Sequence, residues 1–166
     1  MDNNCSFNCS TKTWPSSTRA ELLAIYTALL TIPNNRSISI YTDSQAAIDG
    51  IHKSRSYFAH NKWLSANNRN LLNNIEFVTN FKSLQVVYVK VKAHSGIEGN
   101  ELADSLANQG RLEPHFDANH SIFPKATFSP HWNGVSIEMS IRKFVKDLNQ
   151  TLHQALWSIN RPIRDF

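Results

Sequence analysis

Residues 16–51 read SSTRAELLAIYTALLTIPNNRSISIYTDSQAAIDGI, a helix, a strand and a second helix in succession. Hydroxyl side chains at the start of this stretch can cap the first helix, and Pro33 ends it. Leucine and isoleucine recur at helical spacing, so the first helix has one face to bury. Residues 37–42, SISIYT, are β-branched and alternating, which predicts a strand that ends at Asp43.

The same alternation continues along the chain. A looser helical pattern covers residues 62–81, with apolar residues on one face and asparagines on the other. Residues 85–91, QVVYVKV, predict a second strand, and residues 100–110, NELADSLANQG, predict a helix that Gly110 terminates. Strands alternating with helices predict an α/β fold in which helices pack on a sheet.

Composition sets the class of protein. The chain has 166 residues, 41% of them hydrophobic, which is enough for one compact domain and a modest appendage. Its net charge of +4 suits a polyanionic partner. With no apolar run of membrane-spanning length and no secretory signal, we expect no membrane partner and an intracellular protein, cytoplasmic or nuclear. Cys5 and Cys9 indicate neither a disulfide framework nor a zinc site.

The carboxy-terminal part has a different pattern. Residues 111–136 are rich in proline, histidine and aromatics, which indicates a linker or irregular strap after a domain of residues 1–110. Residues 137–158 predict an amphipathic helix that needs a partner: the domain itself, a parent polyprotein or a second copy. We expect a chain ending near Gly110 to be no less soluble. The apolar stripe of this helix comprises Ile137, Ile141, Phe144, Val145, Leu148, Leu152, Leu156 and Trp157.

Four residues are candidates for chemistry, and each has a simpler structural interpretation. Glu21 follows Thr18 at the spacing of a capping box, in which its carboxylate would bond to a backbone amide. Asp43 stands where it could cap the next helix. Asp104 fits a solvated helix position, and His94 fits a surface loop. Their order and flanking residues make a shared catalytic site the alternative.

Carboxylates that converge on one place have a definite chemistry. They repel one another unless cations neutralise them, and oxygen ligands favour Mg²⁺ or Mn²⁺. Two such ions can activate a water molecule and stabilise a leaving oxygen during phosphodiester hydrolysis.

Three blocks of sequence carry a resemblance to a known family. They are STRAELLAIYTAL at residues 17–29, IYTDSQAAI at residues 40–48 and VKAHSGIEGNELADSLA at residues 91–107. In this order they resemble type 1 ribonuclease H domains of the kind found in retrotransposon reverse transcriptases. The resemblance covers residues 7–110.

The resemblance implies a mixed sheet flanked by helices, and cleavage of the RNA strand of RNA/DNA hybrids. It implies that Glu21, Asp43 and Asp104 bind Mg²⁺ or Mn²⁺ and that His94 assists product release or metal exchange. RNA is distinguished from DNA by contacts to its 2′-hydroxyl groups. The candidates for such contacts are Ser17, Thr18, Arg19, Ser44 and Gln45.

One part of the family pattern has no match here. The family's first catalytic aspartate lies on the first strand, whereas residues 5–14 resemble the third strand, and Asp2 lacks the required context. We therefore expect the first two strands to be absent and the activity of the chain to be doubtful. The alternatives are a non-catalytic remnant that binds nucleic acid, and an interaction module that acts through the carboxy-terminal helix.

Overall fold

A computed structural model describes residues 6–11, 13–57, 64–93, 96–116 and 130–159. No helix in these ranges combines the length and the apolar character needed to cross a membrane. The elements in chain order are β1 Ser10–Thr11, α1 Ser17–Thr31, β2 Ser37–Thr42, α2 Gln45–Tyr57, α3 Arg69–Phe81, β3 Gln85–Lys90, α4 Glu98–Gly110, β4 His115–Phe116, β5 His131–Trp132, β6 Val135–Ser136 and α5 Ile141–Ile159.

Helix α1 has the ends that the sequence predicts. The Ser16 hydroxyl accepts a hydrogen bond from the Arg19 amide at 3.1 Å, which satisfies one of the free donors of the first turn. At the other end, the Lys82 ammonium closes the helix because it reaches the last free carbonyl groups. It donates to the carbonyl oxygens of Leu29, Leu30 and Ile32, at 3.1, 2.6 and 2.9 Å.

Strands β2 and β3 form a parallel pair, in register from Ser37 opposite Gln85 to Thr42 opposite Lys90. Both strands confirm the sequence prediction, although β3 ends at Lys90, one residue earlier than expected. Alternate side chains lie on opposite faces of the pair. One face packs on the core through Ile38, Ile40, Val86 and Tyr88.

The core lies between this face and helices α1, α2 and α3. Its centre is made of aliphatic side chains that are almost fully buried, which provides most of the driving force for folding. The principal members are Leu22, Ile25, Leu29, Ala47, Ile51, Leu71, Leu72 and Ile75.

Helix α3 differs from the prediction in two ways. It begins at Arg69 and not near residue 62, after Asn68 in the left-handed region with a φ of 54°. The asparagines were expected on the exposed face, yet Asn70, Asn73 and Asn74 are buried. Hydrogen bonds to distant parts of the chain make this burial possible for Asn70.

The α/β fold class is confirmed, with both parallel and antiparallel strand pairs. Within the described ranges the strands form three two-stranded sheets: β1 with β4 and β2 with β3, both parallel, and β5 with β6, antiparallel. Helix α4 ends at Gly110 as predicted. A side chain at that position would approach the Cys9 carbonyl oxygen to 2.7 Å, so the close contact between α4 and the residues before β1 requires glycine.

The described residues directly ahead of α5, 130–140, are more ordered than a linker. Strands β5 and β6 form a hairpin whose turn residues, Asn133 and Gly134, both have positive φ angles, as this kind of turn requires. Ile137 was expected inside the last helix but lies ahead of it, with 5% of its surface exposed. The helix begins only at Ile141.

A buried polar network fastens this segment to α1 and α3. Glu138 pairs with Arg19, with 3.7 Å between Oε2 and Nη1, and the two side chains are 0% and 5% exposed. The Asn70 amide donates to Glu138 Oε2 at 3.2 Å, and the Asn70 side chain donates to the Ser136 hydroxyl at 2.7 Å. The Arg69 guanidinium donates to the carbonyl oxygens of Ile137 and Met139.

Candidate carboxylate site

Glu21 lies in the second turn of α1 and faces the end of β2. Its Oε2 accepts a hydrogen bond of 2.9 Å from the hydroxyl of the buried Thr42. Thr42 in turn accepts from the Ser44 amide at 3.1 Å, so the contact is fixed by the chain just after the strand. The capping-box interpretation of Glu21 is wrong, because Ser16 caps the helix and the carboxylate is bound to another element.

Asp43 is the residue that follows β2, and it is half-buried. The role of helix cap falls to its neighbour, since the Ser44 hydroxyl accepts a hydrogen bond from the Ala47 amide at 3.2 Å. Lys90, at the end of β3, donates from its ammonium to the Asp43 carbonyl oxygen, and to the Val91 carbonyl oxygen at 2.9 Å. Asp43 is thereby held at the carboxyl ends of two paired strands.

Asp104 lies in the middle of α4. The side chain is half-buried, whereas its neighbours Ala103 and Ser105 are exposed, so the interpretation as a solvated helix position does not describe it. Its negative charge contributes to raising the pKa of Glu21.

The electrostatics of Glu21 connect the three carboxylates. Burial raises the pKa of Glu21 above its ordinary value, and the neighbouring charges of Asp43 and Asp104 raise it further. The hydrogen bond from Thr42 and the positive charge of Lys90 oppose this rise. Residues from α1, the end of β2 and α4 therefore share one electrostatic environment.

Lys90 is the member of this group that sequence reasoning missed. Its position at the end of a predicted strand gives no indication of a role at the site, and the residue is exposed. The parallel register of β2 and β3 brings it beside Asp43, and no local sequence signal reports that pairing.

The donor set suits a hard divalent cation, because it consists of carboxylate oxygens and has more negative than positive charge. In the part of the chain that the structure describes, however, no three histidine, cysteine or acidic side chains are grouped closely enough to hold a metal ion. The three carboxylates thus approach one another without forming a closed coordination site.

The remaining predicted site residues have different placements. His94 lies outside the described residues. Ser17 and Gln45 are exposed near the carboxylates in sequence, and Thr18 and Ser44 are half-buried. Arg19 must be corrected: it is 4% exposed and paired with Glu138, so its guanidinium lies inside the protein and not at a surface for nucleic acid.

Comparison with known proteins identifies the family of the chain. Residues 3–111 match the family model described as RNase H. The chain belongs to the RNase H family. The matched range includes Glu21, Asp43 and Asp104, and it ends before the β5–β6 hairpin and α5.

Several curated relatives bear the name Ribonuclease H. The protein of Orientia tsutsugamushi (strain Boryong) is 35% identical over 99 residues, which cover 57% of this chain and 58% of the relative. That of Methylobacillus flagellatus is 38% identical over 96 residues, covering 55% and 63%. That of Francisella tularensis subsp. novicida is 35% identical over 100 residues, covering 57% and 64%. The chain spans about three-fifths of the length of these relatives.

Proposed function

We propose that this chain carries the carboxylate site of an endonuclease that hydrolyses the RNA strand of RNA/DNA hybrids. The observation that supports it most is the placement of Glu21 against the end of β2, where its carboxylate accepts a hydrogen bond of 2.9 Å from Thr42, the neighbour of Asp43. The charges of Asp43 and Asp104 both raise the pKa of Glu21, in agreement with this placement. Membership of the RNase H family gives the reaction class. The reverse-transcriptase-associated type and a cytoplasmic or nuclear location stay predictions.

Glu21, Asp43 and Asp104 would hold Mg²⁺ or Mn²⁺. Such ions supply Lewis acidity and lower the pKa of bound water. The protein's own contribution is orientation: Thr42 fixes the Glu21 carboxylate, and Lys90 fixes the backbone at Asp43. In the same proposal His94 assists product release or metal exchange.

Recognition of the RNA strand would come from polar side chains next to the carboxylates. Ser17, Thr18, Ser44 and Gln45 carry hydroxyl or amide groups that can bond to 2′-hydroxyls. The Gln45 amide at present donates to Asp49 Oδ1 at 2.9 Å, a contact within one helix turn that a substrate can replace. The net charge of +4 favours a polyanion.

The test is cleavage of an RNA/DNA hybrid by the purified chain with Mg²⁺ or Mn²⁺. We expect RNA products that disappear in Asp43→Asn and persist in Asp147→Asn, a matched change on an exposed residue of α5. Calorimetry with Mn²⁺ should show binding that Asp43→Asn weakens. The proposal would be contradicted if the chain showed no cleavage of the hybrid and no Mn²⁺ binding that depends on the carboxylates.

A second function is favoured by the open arrangement of the carboxylates. The chain would then bind hybrid without cutting it. Gel-shift titrations separate the two functions: binding of hybrid that persists in Asp43→Asn, with no cleavage by the original chain under any metal condition, identifies a non-catalytic binder.

A further inference from the structure

Helix α5 presents an apolar surface that the rest of the described chain does not cover. None of its residues is buried, and Leu152, Leu156 and Ile159 are 52%, 54% and 77% exposed. The start of the helix is fastened to the protein, because the Phe144 ring lies edge-on against Trp14 and Trp132, with centroids at 6.1 and 5.9 Å. The exposed part is therefore a helix held at one end, with an apolar face open to solvent.

The spacing on this face follows a heptad pattern. Apolar residues recur at alternating intervals of four and three, which is the spacing of a helix-pair seam. In order they are Ile141, Val145, Leu148, Leu152, Ala155 and Ile159. Phe144 and Leu156 widen this seam on its two sides. Trp157 was expected in the apolar stripe, but helical spacing places it on the outer side of the helix, so it takes no part in the seam.

The seam is symmetric about its centre, Gln150. In an antiparallel pair of identical helices, Ile141 would face Ile159 of the other copy, Val145 would face Ala155, and Leu148 would face Leu152. Every layer then combines one residue at heptad position a with one at heptad position d of the other copy. A single two-fold axis relates all of these layers. We propose that two copies of this chain associate through an antiparallel pair of α5 helices.

Charge distribution selects the same arrangement. The basic residues Arg142, Lys143 and Lys146 lie in the first half of α5, accompanied by a single acid, Asp147, whereas residues 149–159 have no acidic or permanently basic side chain. A parallel pair would place the basic halves side by side. An antiparallel pair places each basic half against the partial negative charge at the other helix's carboxyl end.

The size of the seam sets the expected strength. Nineteen residues at 1.5 Å rise make a helix about 28 Å long. Such a pair buries on the order of 1,000 Å² in total, the small end of specific interfaces. We therefore expect a reversible dimer with a Kd of roughly 1–100 µM. This inference is independent of the nuclease proposal.

Sedimentation velocity of the full chain across this concentration range tests the association. We expect a monomer–dimer equilibrium that shifts at least tenfold towards monomer in Leu152→Glu. Gln154→Glu, the same charge on the exposed outer side of the helix, should leave it unchanged. Circular dichroism and the melting temperature of each variant establish that the fold is intact. A chain that stays monomeric throughout, or a dimer indifferent to Leu152→Glu, would overturn the proposal.

Disulfide trapping tests the orientation, in a background where Cys5 and Cys9 are serine. Asn149 lies beside the seam. Only in an antiparallel pair is it next to Asn149 of the other copy, so Asn149→Cys should cross-link readily. Leu152 faces Leu152 of the other copy only in a parallel pair. In the proposed antiparallel pair, Leu152→Cys should therefore cross-link poorly. The opposite result would show a parallel dimer and refute the antiparallel pairing.

Discussion

At the scale of single residues, the Glu21 carboxylate has an environment that disfavours its charge. Its folded pKa is raised, first by burial and then by Asp43 and Asp104, so the folded state binds more protons than the unfolded state above the ordinary pKa. Stability from this group therefore falls as pH rises through the window between the ordinary pKa and the raised one. A bound cation would offset the cost of keeping the Glu21 carboxylate ionised at neutral pH.

Glu21→Gln tests this account of the charge. We expect the variant to be more stable than the original chain at pH 7, by at most about 1 kcal/mol because solvent screens a half-buried group, and nearly equal at pH 4. The Thr42 hydroxyl keeps an acceptor in the new amide. Urea unfolding at both pH values measures the difference. A variant that is less stable at pH 7 would mean that the charge is well compensated in the folded chain.

Lys90 is the second residue whose effect can be isolated. Its positive charge lowers the Glu21 pKa, so in Lys90→Met that pKa should rise further above its ordinary value. The neighbouring Lys92→Met, which removes the same charge beyond the strand end, serves as the control. Side-chain carboxyl NMR across a pH titration reports Glu21 directly. Equal shifts in both variants would indicate a general effect of net charge and not the local contact.

At the scale of elements, Ser16 decides where α1 begins. Ser16→Ala removes the acceptor for the Arg19 amide, and we expect a loss of about 1 kcal/mol in the free energy of unfolding. Ser17→Ala, one residue inside the helix and exposed, should change stability far less. Thermal or urea unfolding of the two variants supplies the comparison. Equal losses would show that the capping bond contributes little.

Local sequence patterns predicted those features of the helices and strands that depend on interactions between residues close together in the chain. The capping of α1 by a hydroxyl side chain and the alternation in β2 depend on neighbours in the chain, and both agree with the structure. The buried asparagines of α3 were misplaced because Asn70 bonds to Ser136 and Glu138, more than sixty positions away. Distant contacts of that kind leave no periodic signal.

The candidate site was likewise predictable where it depends on local sequence motifs, and not where it depends on contacts between distant parts of the chain. The three carboxylates were selected because they stand in recognisable blocks of sequence, and their shared role in binding a metal ion stays a prediction. The charges of Asp43 and Asp104 both raise the pKa of Glu21. Arg19 was misassigned because its place beside the candidate carboxylates suggested contacts to RNA 2′-hydroxyl groups, whereas its partner Glu138 lies in a part of the chain that was predicted to belong to the last helix. The role of His94 stays a prediction.

At the scale of the whole molecule, the segment before α5 is part of the folded unit. Ile137 fills a buried position and Glu138 accepts bonds from α3 while pairing with Arg19. Burial raises the pKa of Glu138, and the nearby Arg19 and Arg69 oppose the rise, so the two arginines offset part of the cost of this buried charge. Removing the segment would leave both guanidinium groups without these partners.

A chain ending at Gly110 should therefore be less stable and less soluble than the full chain, contrary to the expectation from sequence alone. Glu138→Ala isolates the cause: loss of one partner from a buried ion pair costs about 3–5 kcal/mol. Glu113→Ala, an exposed control, should have little effect.

Limited proteolysis of dilute protein should cut the exposed end of α5 while sparing residues 135–144, which the hairpin, Ile137 and Phe144 attach to the domain. Early cleavage within residues 135–144, with the remaining fragment as stable as the full chain, would show that the polar network does not support the fold.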